Sequence, residues 1–132
     1  MDLAAILETM PFAVHAGVEL DLATPAEVVG HLDWDKHRTT AGDAMHGGAV
    51  MTLADSVGAV CAFLNLPEGS STSTISSNTV FTRGVREGRL TARARPLHVG
   101  RSTIAVTTEL HDAAGKLVAH VTQSQAVLTP RS

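Results

Sequence analysis

Ala49-Val50-Met51-Thr52-Leu53-Ala54-Asp55-Ser56-Val57-Gly58-Ala59-Val60-Cys61-Ala62-Phe63-Leu64 runs for sixteen residues without proline and with one glycine. It is the strongest helix signal in the chain and is apolar nearly all round, which requires burial on most faces. Pro67-Glu68-Gly69 closes it, and His46-Gly47-Gly48 opens it. Thr52, Asp55 and Ser56 fall at i, i+3 and i+4 and form one polar stripe, continued by the small Ala59. A single sheet wrapped on such a helix leaves one side open, and a second subunit is the simplest cover.

Outward from the helix, Leu3 to Met10 can form a short helix before Pro11. Val14–Leu22 and Glu27–Leu32 read as strands around Ala23-Thr24-Pro25. Asp33–Met45 reads as a loop. Beyond the helix, Ser70–Thr82 is rich in Ser and Thr, with Ile75, Val80 and Phe81, and favours a strand over a serine-rich linker. Glu87-Gly88 marks a turn, Arg89–Val99 a strand, and Gly100 a turn or bulge. Ser102–His111 and Leu117–Leu128 are strands joined by a hairpin loop at Asp112–Lys116. Four strands joined in series by short turns should be mostly antiparallel. The expected class is α+β: one curved antiparallel sheet of six strands wrapped on a long central helix, plus a short N-terminal helix.

The chain has 132 residues, 44% of them hydrophobic and 17% charged, enough for one domain with its own core and too apolar for a disordered chain. Residues 1–132 are read as a single domain. Cys61 is the only cysteine, so no intrachain disulfide or cysteine-rich zinc site is possible. His15, His31, His37, His46, His98, His111 and His120 show no metal-ligand spacing. A net charge of −3 and four aromatic rings argue against nucleic acid as a partner. Ala49–Leu66 is interrupted by Thr52, Asp55, Ser56 and Asn65, so no membrane span is expected. Met1-Asp2-Leu3 lacks the basic start of a signal peptide, which makes the cytoplasm the expected compartment. Residues 1–45 carry two basic against eight acidic residues; residues 83–101 carry six arginines against one glutamate. That cluster is either a solvated sheet face or the seat of an anionic ligand.

Asp55 is the only charge in the helix and lies too far inside it for capping or the helix dipole to explain. It is either a partnered carboxylate at a subunit interface or a catalytic carboxylate in a partly dry cleft, where its pKa should rise and where it could act as general base on water or attack the carbonyl itself to form an anhydride. Gly47 and Gly48 at the helix start allow close backbone approach and leave N–H donors for a carbonyl oxygen that becomes negative. His46 can equally be a histidine that orders the loop.

His46-Gly47-Gly48-Ala49-Val50-Met51-Thr52-Leu53-Ala54-Asp55-Ser56 resembles the signature of hotdog-fold acyl-CoA thioesterases of the phenylacetate-degradation type. Pro11-Phe12 to Gly17-Val18-Glu19-Leu20, Phe81-Thr82-Arg83-Gly84-Val85, Val99-Gly100-Arg101 and Gly115-Lys116-Leu117-Val118-Ala119 are also similar, so the resemblance covers roughly residues 11–128. It implies the hotdog fold, a homodimer or dimer of dimers, and hydrolysis of an acyl- or aryl-acyl-CoA without cofactor or metal. By position Asp55 matches the catalytic acid, and Gly47 the residue whose N–H polarises the thioester carbonyl. Thr74, with Ser73 second, fits the hydroxyl that assists the acid. The family usually carries an asparagine or glutamine six residues before the motif histidine. Thr40 stands there instead, which implies either lower activity or another polar group in that role. Arg83 and Arg101, with Gly100, are candidates for the CoA moiety; Arg89, Arg93 and Arg95 share one strand face by parity and are weaker ones. Val50, Leu53, Val57, Phe63 and Phe81 are expected to line the acyl pocket. A hotdog hydratase or dehydratase with His46 as proton shuttle, and a non-catalytic acyl-CoA-binding protein, are the rival readings.

Gly47 and Asp55 lie roughly 12 Å apart along one continuous helix. One carbonyl cannot readily use both from one chain, whereas two antiparallel copies of the helix would bring Gly47 of one beside Asp55 of the other.

Overall fold

The computed structural model describes residues 2–130. Three helices, α1 (Leu3–Glu8), α2 (Pro11–Ala16) and α3 (Gly47–Leu64), accompany six strands: β1 (Glu19–Ala23), β2 (Val28–Asp33), β3 (Ser71–Phe81), β4 (Arg89–Val99), β5 (Thr103–His111) and β6 (Leu117–Leu128). The strands form one antiparallel sheet in the order β1-β2-β4-β5-β6-β3. This is the expected curved sheet around a central helix.

Three local expectations change. The segment expected as a strand from Val14 begins with α2: Pro11 starts it at the first helical position and Gly17, at φ 97°, ends it, so β1 starts only at Glu19. The loop before α3 contains two short 3-10 turns, Lys36–Arg38 and Ala41–Asp43. The Glu87-Gly88 turn does not join neighbours in the sheet, because β3 pairs with β6 at the far edge and β4 lies between β2 and β5. Among the described residues no strand pairs with the second edge of β3.

Inward-facing Leu90, Ala92 and Ala94 on β4, Ile104 and Val106 on β5 and Val121 on β6 meet Leu53, Ala54, Val57 and Cys61 of α3 in the core. At 18 residues α3 is long and apolar enough to cross a membrane, against the expectation from its polar interruptions. Here it is instead the core helix of a sheet, packed chiefly on β2, β4 and β5. Close approach to β2 depends on Gly30, where a Cβ would lie 2.7 Å from Val57 Cγ2 and 2.8 Å from Glu19 O.

The arginine-rich stretch largely pairs with the acidic N-terminal half. β2 and β4 set Asp33 opposite Arg89, and the two side chains bond at 2.8 Å; Arg93 and Arg95 reach Glu27. The strand pairing brings the two charge blocks together, which accounts for much of the asymmetry without a ligand. Exposed pairs of this kind each add about 0–1 kcal/mol.

Candidate active site

The start of α3 is fixed from three directions. Met45 N–H donates to Val85 O at 2.7 Å, His46 N–H to Arg38 O at 2.7 Å, and Thr39 bridges Met45. Arg38 in turn bonds Ala16 O through Nε. The helix begins at Gly47, two residues earlier than its apolar run. His46 is the N-cap: its Nδ1 accepts from Gly48 N–H at 2.8 Å. That bond fixes the ring as a structural element and occupies the Gly48 donor. Among the described residues Gly47 N–H has no acceptor, as expected at a first helical position. The Phe81 ring lies over Gly47, where a Cβ would sit 3.4 Å from Cζ.

Asp55 lies at the margin of α3, between the N-terminal segment on one side and the inner side of β3 and β6 on the other. Met10, Pro11, Phe12 and Ala13 from the N-terminal segment, with Met51, Thr52 and Ser56 of α3, form a cleft of about 430 Å³ around it. The carboxylate keeps access to solvent in the single chain. Even so, desolvation by this apolar wall raises its pKa above the ordinary 3.8, while hydrogen bonds from Gln123 and Thr74 pull it back down. Thr52 and Ser56 do not contribute, because their hydroxyls donate to the helix carbonyls of Gly48 and Thr52.

Sheet register separates the two candidate hydroxyls. Thr74 pairs with the inward-facing Gln125 and faces Asp55, whereas Ser73 pairs with Ala126 and points to the other side. Gln125 Nε2 donates to Thr74 Oγ1 at 2.9 Å, and Gln123 Nε2 to Asp55 Oδ1 at 3.4 Å. Both glutamines are buried, with 1% of their surface exposed. Neither was expected from the sequence. Their signal was there: two polar residues at i and i+2 in the inward row of β6 that otherwise holds Ala119 and Val121. Thr40 takes no part in this cluster; its exposed residue bonds Ala44 O through its backbone N–H.

Arg83 and Arg101 are at opposite ends of the sheet. Arg83 N–H bonds Val118 O and its guanidinium pairs with Asp112 at 3.0 Å, beside the β5–β6 hairpin. Arg101 sits in the β4–β5 turn, at the level of Thr103 and Ala126. The nine residues of β5 between them span about 30 Å. Within one chain the two cannot hold one phosphate group. Gly100 closes that turn: its N–H donates to Thr103 O at 2.9 Å, and a Cβ would meet the same oxygen.

Val50, Leu53 and Val57, expected to line a pocket, are buried on the core side of α3. The apolar hollow of about 440 Å³ lies instead between α1 and the second half of α3, lined by Ile6, Met10, Ala59, Val60, Phe63 and Thr72. Burial pushes the Cys61 thiol up to about 11, which leaves it inert as a nucleophile. Among the described residues, no three His, Cys, Asp or Glu side chains are placed to hold a metal ion.

The sequence model of the thioesterase superfamily matches residues 42–119. The 1,4-dihydroxy-2-naphthoyl-CoA hydrolase of Escherichia coli is 31% identical over 84 residues, 64% of this chain and 62% of that protein. The chain spans about half to just under two thirds of the length of such curated relatives. A thioesterase from Haemophilus influenzae superposes with a TM-score of 0.92 over 98% of this chain and 92% of its own, at 23% identity, a likeness of fold. A phenylacetic acid degradation-related protein from Ralstonia eutropha superposes with a TM-score of 0.82 at 27% identity, covering 89% of this chain and 90% of its own. The matched residues carry the capped start of α3, Asp55 and Thr74 together, and the chain belongs to the thioesterase superfamily.

Proposed function

We propose that the protein hydrolyses an acyl-CoA thioester, acyl-CoA + water → carboxylate + CoA + H+, at a site built from two subunits. The observation that carries this reading is Asp55: one half-sheltered carboxylate on an otherwise uncharged helix, with a raised pKa and a hydroxyl and an amide aimed at it. The CoA-thioester hydrolase among the relatives supports the substrate class.

In this reaction Asp55 takes a proton from water as the water oxygen bonds to the thioester carbon. The carbonyl oxygen becomes an oxyanion and is held by the vacant Gly47 N–H at the positive end of the α3 dipole. The C–S bond then breaks, and Asp55 returns the proton to the departing thiolate. Thr74 orients the carboxylate.

The acyl group occupies the hollow between α1 and α3, which starts one helical turn beyond Asp55 at Ala59. Its two hydroxyls are already satisfied, Thr9 by Ile6 O and Thr72 by Ala126 O. The walls therefore suit an apolar acyl or aryl-acyl chain.

The partner subunit follows from distance and from the open edge of β3. Gly47 and Asp55 stand on one unbroken helix, roughly 12 Å apart. The 11 residues of β3 leave one edge unpaired, with Ile75, Val80 and Phe81 exposed along it, a surface that a second copy would cover by antiparallel pairing. A two-fold of this kind brings the Gly47 end of one chain to the Asp55 end of the other. It also brings together the Arg83 end and the Arg101 end, which are separated within one chain.

Thiol release over a panel of acyl-CoAs of increasing chain length tests the reaction. Turnover should appear with apolar acyl groups, and Asp55→Ala should lower kcat by about 10²–10⁴; binding without turnover would instead indicate a non-catalytic acyl-CoA-binding protein. Arg101→Ala should raise KM for acyl-CoA and leave thioesters lacking the nucleotide little changed; equal losses on both would place Arg101 in the fold rather than at the phosphates. The raised pKa of Asp55 has a consequence apart from activity. Its folded value lies above its unfolded one, so its contribution to stability is full below the ordinary carboxylate range and is lost as pH rises through the raised value. Asp55→Asn cannot titrate, and its stability relative to the parent should improve between pH 4 and 7 in urea unfolding; a pH-independent difference would contradict the desolvated carboxylate.

A further inference from the structure

Two residues of this chain are poor local choices when taken singly. Gly58 lies inside an 18-residue helix, where glycine costs backbone entropy. Gln123 sits 1% exposed in the inward row of β6, where an amide loses its hydration. Together they make one device. The Gln123 carboxamide fills the space that a side chain at 58 would take, and any Cβ there would overlap its oxygen. Seated so, the amide turns its Nε2 to Asp55 Oδ1, one helical turn before Gly58. Among the described residues its Oε1 has no hydrogen-bond partner. Such a half-satisfied buried amide is an expense to the fold that the contact with Asp55 explains.

We propose that Gln123, seated by Gly58, is a positioning residue that holds the Asp55 carboxylate aimed at the reacting water. The proposal rests on the reading of Asp55 as the base. Gln125 completes the arrangement: it donates to Thr74, so a single strand fixes both the carboxylate and the hydroxyl beside it. Residues 123 and 125 fall beyond the region shared with the superfamily model, which ends at residue 119.

Among the described residues of the single chain, the groups facing Asp55 leave this amide without a charged competitor. The N-terminal segment presents Met10, Pro11, Phe12 and Ala13, α3 presents Met51, Thr52 and Ser56, β3 presents Thr74, and none of these titrates near neutrality. Loss of the Gln123 N–H should therefore leave burial unopposed except by Thr74, and raise the pH at which Asp55 ionises.

The test is the pH dependence of thioester hydrolysis in Gln123→Met, Gly58→Ala, the double variant and Asp55→Asn. Gln123→Met should lower kcat about tenfold or more, with KM changed less than about threefold, and move the acidic limb of the kcat profile upward. Gly58→Ala, which alters no group bonded to Asp55, should do the same by displacing the carboxamide. In the Gln123→Met background Gly58→Ala should add little, since its target is gone. Folded variants with parental kcat and an unmoved acidic limb would overturn the proposal, as would fully additive effects of the two substitutions. Should Gln123→Met fail to fold, the limb in Gly58→Ala decides. Asp55→Asn separates the two levels. Activity retained there refutes the base itself, whereas an inactive Asp55→Asn beside an unaffected Gln123→Met refutes only the positioning role.

Discussion

One apolar helix with more hydrophobic surface than one sheet can cover organises this molecule. Leu53, Ala54, Val57 and Cys61 turn to the sheet and are fully buried, and Gly30 lets the helix come close enough to β2 for that packing. Beyond that packed face, Met51, Ala59 and Phe63 are sheltered only in part by the N-terminal segment, with Asp55 at the margin between them and the sheet. Burial energy fixes the helix, and what burial leaves over becomes the site. The rigidity of that packing matters for the proposed chemistry, because a general base acts only when it is held to within hydrogen-bond reach of its water.

The polar layer behind Asp55 shows how the same core serves the site. Inward positions of β6 should be apolar, and two of them are glutamines. They tie Asp55 and Thr74 to the centre of the sheet rather than to a mobile loop, and thereby turn a solvent-facing carboxylate into one with a fixed orientation. Burial raises the pKa of the acid and these donors lower it, so the group can remain a carboxylate at neutral pH while being a stronger base than an exposed aspartate.

Much of this was legible in the residues. The helix announced itself by sixteen residues without a proline, and the strands by alternation and turn chemistry. Asp55 stood out because nothing local explains a charge there. Other features depend on long-range pairing that period and composition do not carry. The position of β3 at the edge beside β6 follows from which strands share the core, not from chain order. α2 was missed because Pro11 and Gly17 bracket only six residues, too short for a helical period to register. The separation of Arg83 from Arg101, and the neutralisation of Arg89, Arg93 and Arg95 by Asp33 and Glu27, arise only when β2 meets β4 and β5 extends between the turns. Gln123 was readable as a breach of the inward pattern, but its target lies 68 residues away in sequence.

The proposed mechanism joins, at each site, Asp55 of one chain to the Gly47 N–H of another. Subunit complementation tests it most directly. Gly47→Val and Asp55→Asn homodimers should each be nearly inactive. A purified heterodimer of the two, carrying different tags, has one site with both defects and one site with neither if the sites are shared. It should then recover close to half the parental thioesterase activity. If each site used both groups from a single chain, every site would keep one defect; a verified heterodimer as inactive as its parents would rule out the shared site.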